Sequence, residues 1–192
     1  MKHFLKGSFI ILTTLTLGYA ETCQYSIDNA KTKVGFEAFK TMKKLGVKVG
    51  FDKVEINSSI ASAENIQDII KSSEFSIDTG SLNSANPARD EKLKNLFFKD
   101  GKNVININGK VSDVKEDIIF VDIKIGNTTK NIPLRFSFNN NNIEAKGTID
   151  LFDFSLNKSL ANINNACKDL HEGKTWNDVN IYINATFNKN CK

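Results

Sequence analysis

The stretch Ser76–Phe98, SIDTGSLNSANPARDEKLKNLFF, decides the fold. It enters as a strand: Phe75, Ile77 and Thr79 alternate with small or polar residues, the period of a half-buried strand. Gly80–Pro87 is turn chemistry, with Gly, Ser, Asn and Pro in quick succession. The spacing then predicts a short amphipathic helix over Ala88–Phe98. Leu93, Leu96 and Phe97 fall at i, i+3 and i+4, while Arg89, Asp90, Lys92 and Lys94 stay in water. A strand that turns into a short helix with an apolar face can lay a lid over the open end of a β-structure.

Working outward, the chain supplies such a structure. Upstream, Tyr25 and Ile27, then Val34, Phe36 and Ala38, then Val47, Val49 and Phe51 alternate with polar or small residues, and Val54 and Ile56 extend the run past a bend near Asp52. Ile66, Ile69 and Ile70 stand at helical spacing. Downstream the period of two is cleaner, in Ile105–Val111, Ile119–Ile125, Ile132–Phe138 and Ile143–Ile149. Gly126-Asn127 and Asn139–Asn142 mark hairpins. In the last strand Val179, Ile181, Ile183, Ala185 and Phe187 face one way, and Asn180, Tyr182, Asn184 and Thr186 the other. Leu151–Trp176 holds a helical patch around Leu160–Leu170. About eight strands, each apolar on one face, predict an all-β sandwich or barrel closed around an apolar interior.

Lys2 and Lys6, the apolar run Phe9–Leu17 and the small residues of Gly18-Tyr19-Ala20 read as a signal peptide cut after Ala20. That leaves residues 21–192 as one domain and implies a periplasmic or secreted protein. The remaining 24 basic and 22 acidic residues form no long basic run, so the chain lacks a nucleic-acid footprint. Export makes a disulfide plausible among Cys23, Cys167 and Cys191. Of the three pairings Cys23–Cys191 is preferred, because each cysteine flanks a terminal strand and those strands are neighbours in a closed antiparallel barrel.

Polar constellations are sparse. His171 is the single histidine beyond residue 20, and there is no glycine-rich phosphate loop, nucleophile elbow or Cys-x-x-Cys. Cys167 and His171 stand i and i+4 on the predicted helix, the spacing of two metal ligands or of a histidine-activated thiol. Asp28, Asp78 and Asp90 read as caps, turn formers or an ion-pair partner for Arg89. Trp176 is expected to plug one barrel end or touch a ligand.

Tyr25-Ser26-Ile27-Asp28, Ser76-Ile77-Asp78-Thr79-Gly80, Arg89-Asp90 followed by Leu93 and Phe97-Phe98, and Asp153-Phe154 come in an order that resembles the YceI-like family across nearly the whole chain after residue 20. The resemblance implies an antiparallel eight-stranded lipocalin-like barrel, with one or two short helices near its ends and an elongated pocket for a long-chain lipid. The expected function is non-enzymatic binding of a polyisoprenoid, an isoprenoid quinone or a fatty amide. No cofactor is expected beyond such a lipid, and a homodimer and transient contact with the membrane surface are further expectations. The expected wall residues, taken from the strand alternation and the lid, are Phe36, Phe39, Phe51, Phe75, Leu93, Phe97, Phe136, Phe138 and Phe154. The alternatives are a thiol- or metal-dependent protein using Cys167 and His171, or a secreted interaction protein with a solid core.

Overall fold

The computed structural model describes residues 21–192, and the expected signal peptide lies outside the described residues. The chain runs through β1 (Cys23–Lys40), β2 (Leu45–Phe51), β3 (Val54–Ser58), α1 (Ile66–Lys71), β4 (Ser73–Ile77), β5 (Leu82–Asn83), α2 (Pro87–Lys92), β6 (Lys99–Asp100), β7 (Asn103–Val104), β8 (Ile107–Lys115), β9 (Ile118–Ile125), β10 (Thr128–Asn139), β11 (Asn142–Asp150), α3 (Asn157–Ala166) and β12 (Thr175–Cys191). One curled antiparallel sheet takes the order β3-β4-β8-β9-β10-β11-β12-β1-β2-β5, and β6 and β7 form a separate small ladder.

The sheet has ten strands, not the eight expected. The strand anticipated over Val47–Ser58 breaks at Asp52-Lys53 into β2 and β3, which pair with different neighbours, β1 and β4. The two-residue β5 adds the tenth by pairing with the end of β2. The curl closes on β1. Its second half, from Val34, pairs with β2, whereas its first half, before a register shift between Asp28 and Lys33, leaves an edge facing β3. Asn29 bridges that seam with its side chain: Nδ2 donates to the Ile56 carbonyl at 3.0 Å, and the Ile56 N–H donates to Oδ1 at 3.1 Å. The amide thus supplies the donor and acceptor that a backbone partner would have supplied. A single bridge, Tyr25 to Ala63, completes the closure.

Following the antiparallel strands fixes which connections share an end. The β4–α2 segment, the β11–α3–β12 connection and the β1–β2 turn lie at one end, here called the lid end. α1 and the Cys23–Cys191 disulfide lie at the other, with Cys23 and Cys191 facing across β1 and β12. At this far end the barrel is filled. Ile69, Val121, Leu134, Phe136, Ile143, Ala145 and Phe187 belong to one buried cluster, none of them more than 7% exposed. α1 drives Ile69 and Ile70 into it, with Asn65 capping the helix by accepting from Gln67 N–H.

The lid departs from a plain helix. Asn86 caps it and Pro87 holds the first position, so it begins one residue earlier than the spacing predicted. After Lys92 the helix widens to a π-turn over Leu93–Phe97, closed by Phe98 N–H donating to the Leu93 carbonyl at 2.9 Å. Arg89 and Asp90, expected in water, are half-buried and both hold Ser84. Arg89 Nε donates to Ser84 Oγ at 2.8 Å and one Nη to its carbonyl at 3.0 Å, while the Ser84 N–H and hydroxyl both turn to Asp90 Oδ1. The charges are used to pin the lid's approach turn.

Candidate functional site

The lid half of the barrel is hollow. Inward residues of the sheet, among them Phe36 of β1, Phe51 of β2, Phe75 and Ile77 of β4, Ile123 and Ile125 of β9, Ile149 of β11 and Ile181 and Ile183 of β12, wall a cavity of ≈ 120 Å³. Leu93, Phe97 and Phe98 close it from the lid, and Leu156, Leu160 and Ile163 from the α3 side. The volume gives room for roughly eight to twelve groups of water or methylene size. Apart from Thr175, Trp176 and Tyr182 the lining side chains are hydrocarbon.

Two glycines shape this wall. A Cβ on Gly109 would lie 2.2 Å from the Phe75 ring, which therefore lies flat across β8 where the two residues pair. Gly35 likewise makes way for Tyr182, whose hydroxyl donates to the Val49 carbonyl at 3.2 Å. Burial, with Glu37 nearby, raises the Tyr182 pKa, so the phenol stays protonated as that donor. The aromatic rings continue across the lid: Phe36–Phe51, Phe51–Phe98 and Phe97–Phe98 centroids are 5.8, 6.1 and 4.9 Å apart, the last two pairs edge-to-face. The consecutive Phe97 and Phe98, the last residue of the π-turn and its cap, both line the cavity.

Five of the nine residues expected to form the wall do so: Phe36, Phe51, Phe75, Leu93 and Phe97. The other four stand elsewhere. Phe136 packs in the filled far half and Phe154 in the turn before α3, 7% and 2% exposed. Phe138 lies beyond the far rim beside the Asn140 turn and is 44% exposed, its ring edge-on to Phe136. Phe39 faces a second cavity beside the first. The isoleucines of β9, β11 and β12 were absent from the expected wall, although their alternation was plain. Trp176 lies at the lid end and contributes to the wall while its indole N–H donates to the Thr41 carbonyl at 2.8 Å.

The second cavity, ≈ 280 Å³, lies between the lid, the β1–β2 ladder and the turn after α3. It shares Phe36, Ala38, Leu93, Ile163 and Thr175 with the first. Lys40, Arg89, Lys92 and His171 are among its lining residues.

Cys167 and His171 both line the second cavity, although they lie beyond the end of α3. α3 stops at Ala166, and the His171 N–H donates to the Cys167 carbonyl within the turn that follows. Thr175 donates to Asn164 Oδ1 at 3.0 Å, so His171 Nδ1, 2.8 Å from Thr175 Oγ1, is the donor of that pair. Burial, with Lys40 and Lys92 nearby, lowers the His171 pKa and favours the neutral ring. Cys167 is a buried free thiol. Among the described residues no three His, Cys, Asp or Glu side chains gather as a metal site. The acidic residues singled out earlier serve locally. Asp28 pairs with Lys31 at 2.9 Å, and Asp78 caps the turn at Gly80.

The YceI-like domain model matches residues 25–187. Among solved structures, a polyisoprenoid-binding domain from Saccharophagus degradans implicated in plant cell wall breakdown is 16% identical, with a TM-score of 0.58, covering 85% of this chain and 97% of that one. BcnA of Burkholderia cenocepacia is 14% identical with a TM-score of 0.59, covering 85% and 99%. The YceI protein of Campylobacter jejuni is 14% identical with a TM-score of 0.52, covering 76% and 85%. These are similarities of fold. No curated protein matches.

Proposed function

The chain belongs to the YceI-like domain family, and from that premise we propose that it binds a long-chain amphiphile whose apolar tail lies in the lid-end cavity. The observation that carries the reading is a hollow with hydrocarbon walls inside a barrel that is packed at its other end. Water gains little in such a space, because it needs two to four polar partners there. An alkyl or isoprenoid tail needs none. Burying about ten methylene-sized groups contributes on the order of 8 kcal/mol, from which immobilising the chain subtracts several. A neighbour in fold that binds polyisoprenoid supports an isoprenoid tail, and a quinone or fatty amide satisfies the same walls.

The reading includes a carrier without catalysis, exported to the periplasm or beyond. The Cys23–Cys191 disulfide supports an oxidising compartment. Trp176, the single tryptophan, lies in the cavity wall and reports on occupancy. Titration with a C20 isoprenoid alcohol is expected to shift its emission in a saturable way. The variant Phe97→Ser is expected to weaken the response. An emission spectrum indifferent to the added isoprenoid, with no ligand bound at equilibrium, defeats the proposal.

A further inference from the structure

Three cations and the neutral ring of His171 stand beside the second cavity. Lys40 ends β1, Arg89 and Lys92 come from α2, and His171 comes from the turn after α3. No carboxylate is among the residues that line this cavity. Among the described residues none of the three long cations forms an ion pair within 4 Å, although eight other pairs are made elsewhere. The acids of the neighbouring turn, Asp169 and Glu172, are exposed and outside the lining. Arg89 is held for use: Ser84 engages Nε and one Nη, Asp90 fixes Ser84 in turn, and the other Nη makes no hydrogen bond among the described residues. A guanidinium held in this way keeps its fork geometry for an oxyanion at little further entropic cost. Apart from Asn86 and Thr175 the remaining lining is largely apolar, and it continues through Phe36 and Leu93 to the first cavity.

We propose that the second cavity is a head-group site for an oxyanion, a carboxylate or a phosphate monoester, attached to the apolar tail that occupies the first. Lys40, Arg89 and Lys92 surround the anion, and the tail passes Phe36 and Leu93 to the hydrocarbon walls. This rests on the reading of the first cavity as a tail site. The second cavity adds ≈ 280 Å³ beside the first and shares Phe36, Ala38, Leu93, Ile163 and Thr175 with it. The assignment selects among amphiphiles: an acid or phosphate of a long chain is favoured over the alcohol or amide of equal length.

The test is equilibrium binding of tetradecanoate, tetradecyl phosphate, tetradecanol and inorganic phosphate to the intact protein at low and high salt. The two anionic lipids are expected to bind about tenfold tighter than the alcohol, the scale that three partly exposed charge contacts supply. Salt should narrow the gap. In Lys40→Gln/Lys92→Gln, chosen because neither lysine hydrogen-bonds the fold, the gap should shrink at least threefold while tetradecanol binding holds. Arg89→Lys, which keeps charge but loses the fork, should reduce tetradecyl phosphate binding more than tetradecanol binding. Equal affinity for charged and neutral lipids overturns the head-group site and leaves the tail site standing. Inorganic phosphate binding as tightly as tetradecyl phosphate overturns the shared site, and binding of none of the lipids overturns both.

Discussion

Thr41 carries an unusual load for one residue. It turns the chain from β1 toward β2 at φ 61°, is 3% exposed, and its hydroxyl has no hydrogen-bond partner among the described residues. A left-handed conformation costs an L-residue roughly 1–2 kcal/mol, and a buried unpaired hydroxyl about 1–3 kcal/mol. Glycine removes both at an entropic cost of about 0.5–1 kcal/mol and some lost packing. Thr41→Gly should therefore stabilise the protein by about 1 kcal/mol and raise its Tm by roughly 2–4 °C, read by thermal melting. The backbone of Thr41 holds the turn, its carbonyl accepting from Trp176 Nε1 and Lys44 N–H and its N–H donating to the Lys174 carbonyl, and glycine keeps all three bonds. His171 gives the second test at this scale. Its folded pKa lies below the ordinary 6.5, so the folded state binds fewer protons than the unfolded one below that pH. Its contribution is complete above about 6.5 and is lost as pH falls toward the folded pKa. Urea midpoints should fall on acidification from pH ~7.5 to ~5.5, and His171→Gln should flatten that part of the fall.

At the scale of elements, the barrel is closed by a side chain where its backbone ladder stops. Asn29→Ala should cost about 1–2 kcal/mol, the sum of two modest hydrogen bonds, and should speed amide exchange at Ile56. A loss of stability with amide exchange at Ile56 unchanged would place the loss elsewhere. The seam was invisible in the sequence, because nothing in the alternation of Val54 and Ile56 reveals that β3 leaves β2's line to pair with β4. The strands themselves were legible. β9 and β11, and β10 over Ile132–Phe136, follow their period of two almost residue for residue, since the inward face is the more deeply buried. The lid was legible as an apolar face but not as a π-turn, which costs one extra residue per turn and leaves no mark in composition. Arg89 and Asp90 looked like solvent residues because their partner, Ser84, is brought to them only by the folded turn.

On the scale of the molecule, the barrel divides into a filled half and a hollow half, and this division limits what the pattern of inward residues reveals. A period of two tells inside from outside but not height along the barrel. Phe136 and Phe75 are both inward, yet one belongs to the packed end and the other to the cavity wall. The isoleucine walls were overlooked for the opposite reason, since their side chains read equally well as core. The disulfide lies at the packed end and spans a sequence separation of 168. Removing it as Cys23→Ser/Cys191→Ser should cost about 2–5 kcal/mol in denaturant, while ligand affinity at the lid end stays within about twofold. The central claim concerns the hollow half, and its most direct measurement is native mass spectrometry of protein isolated without detergent from its own source. The account predicts a one-to-one adduct with the mass of a lipid bearing a long apolar tail, lost on organic extraction and restored by a long-chain isoprenoid. Protein that arrives without lipid and takes up none when offered would contradict it.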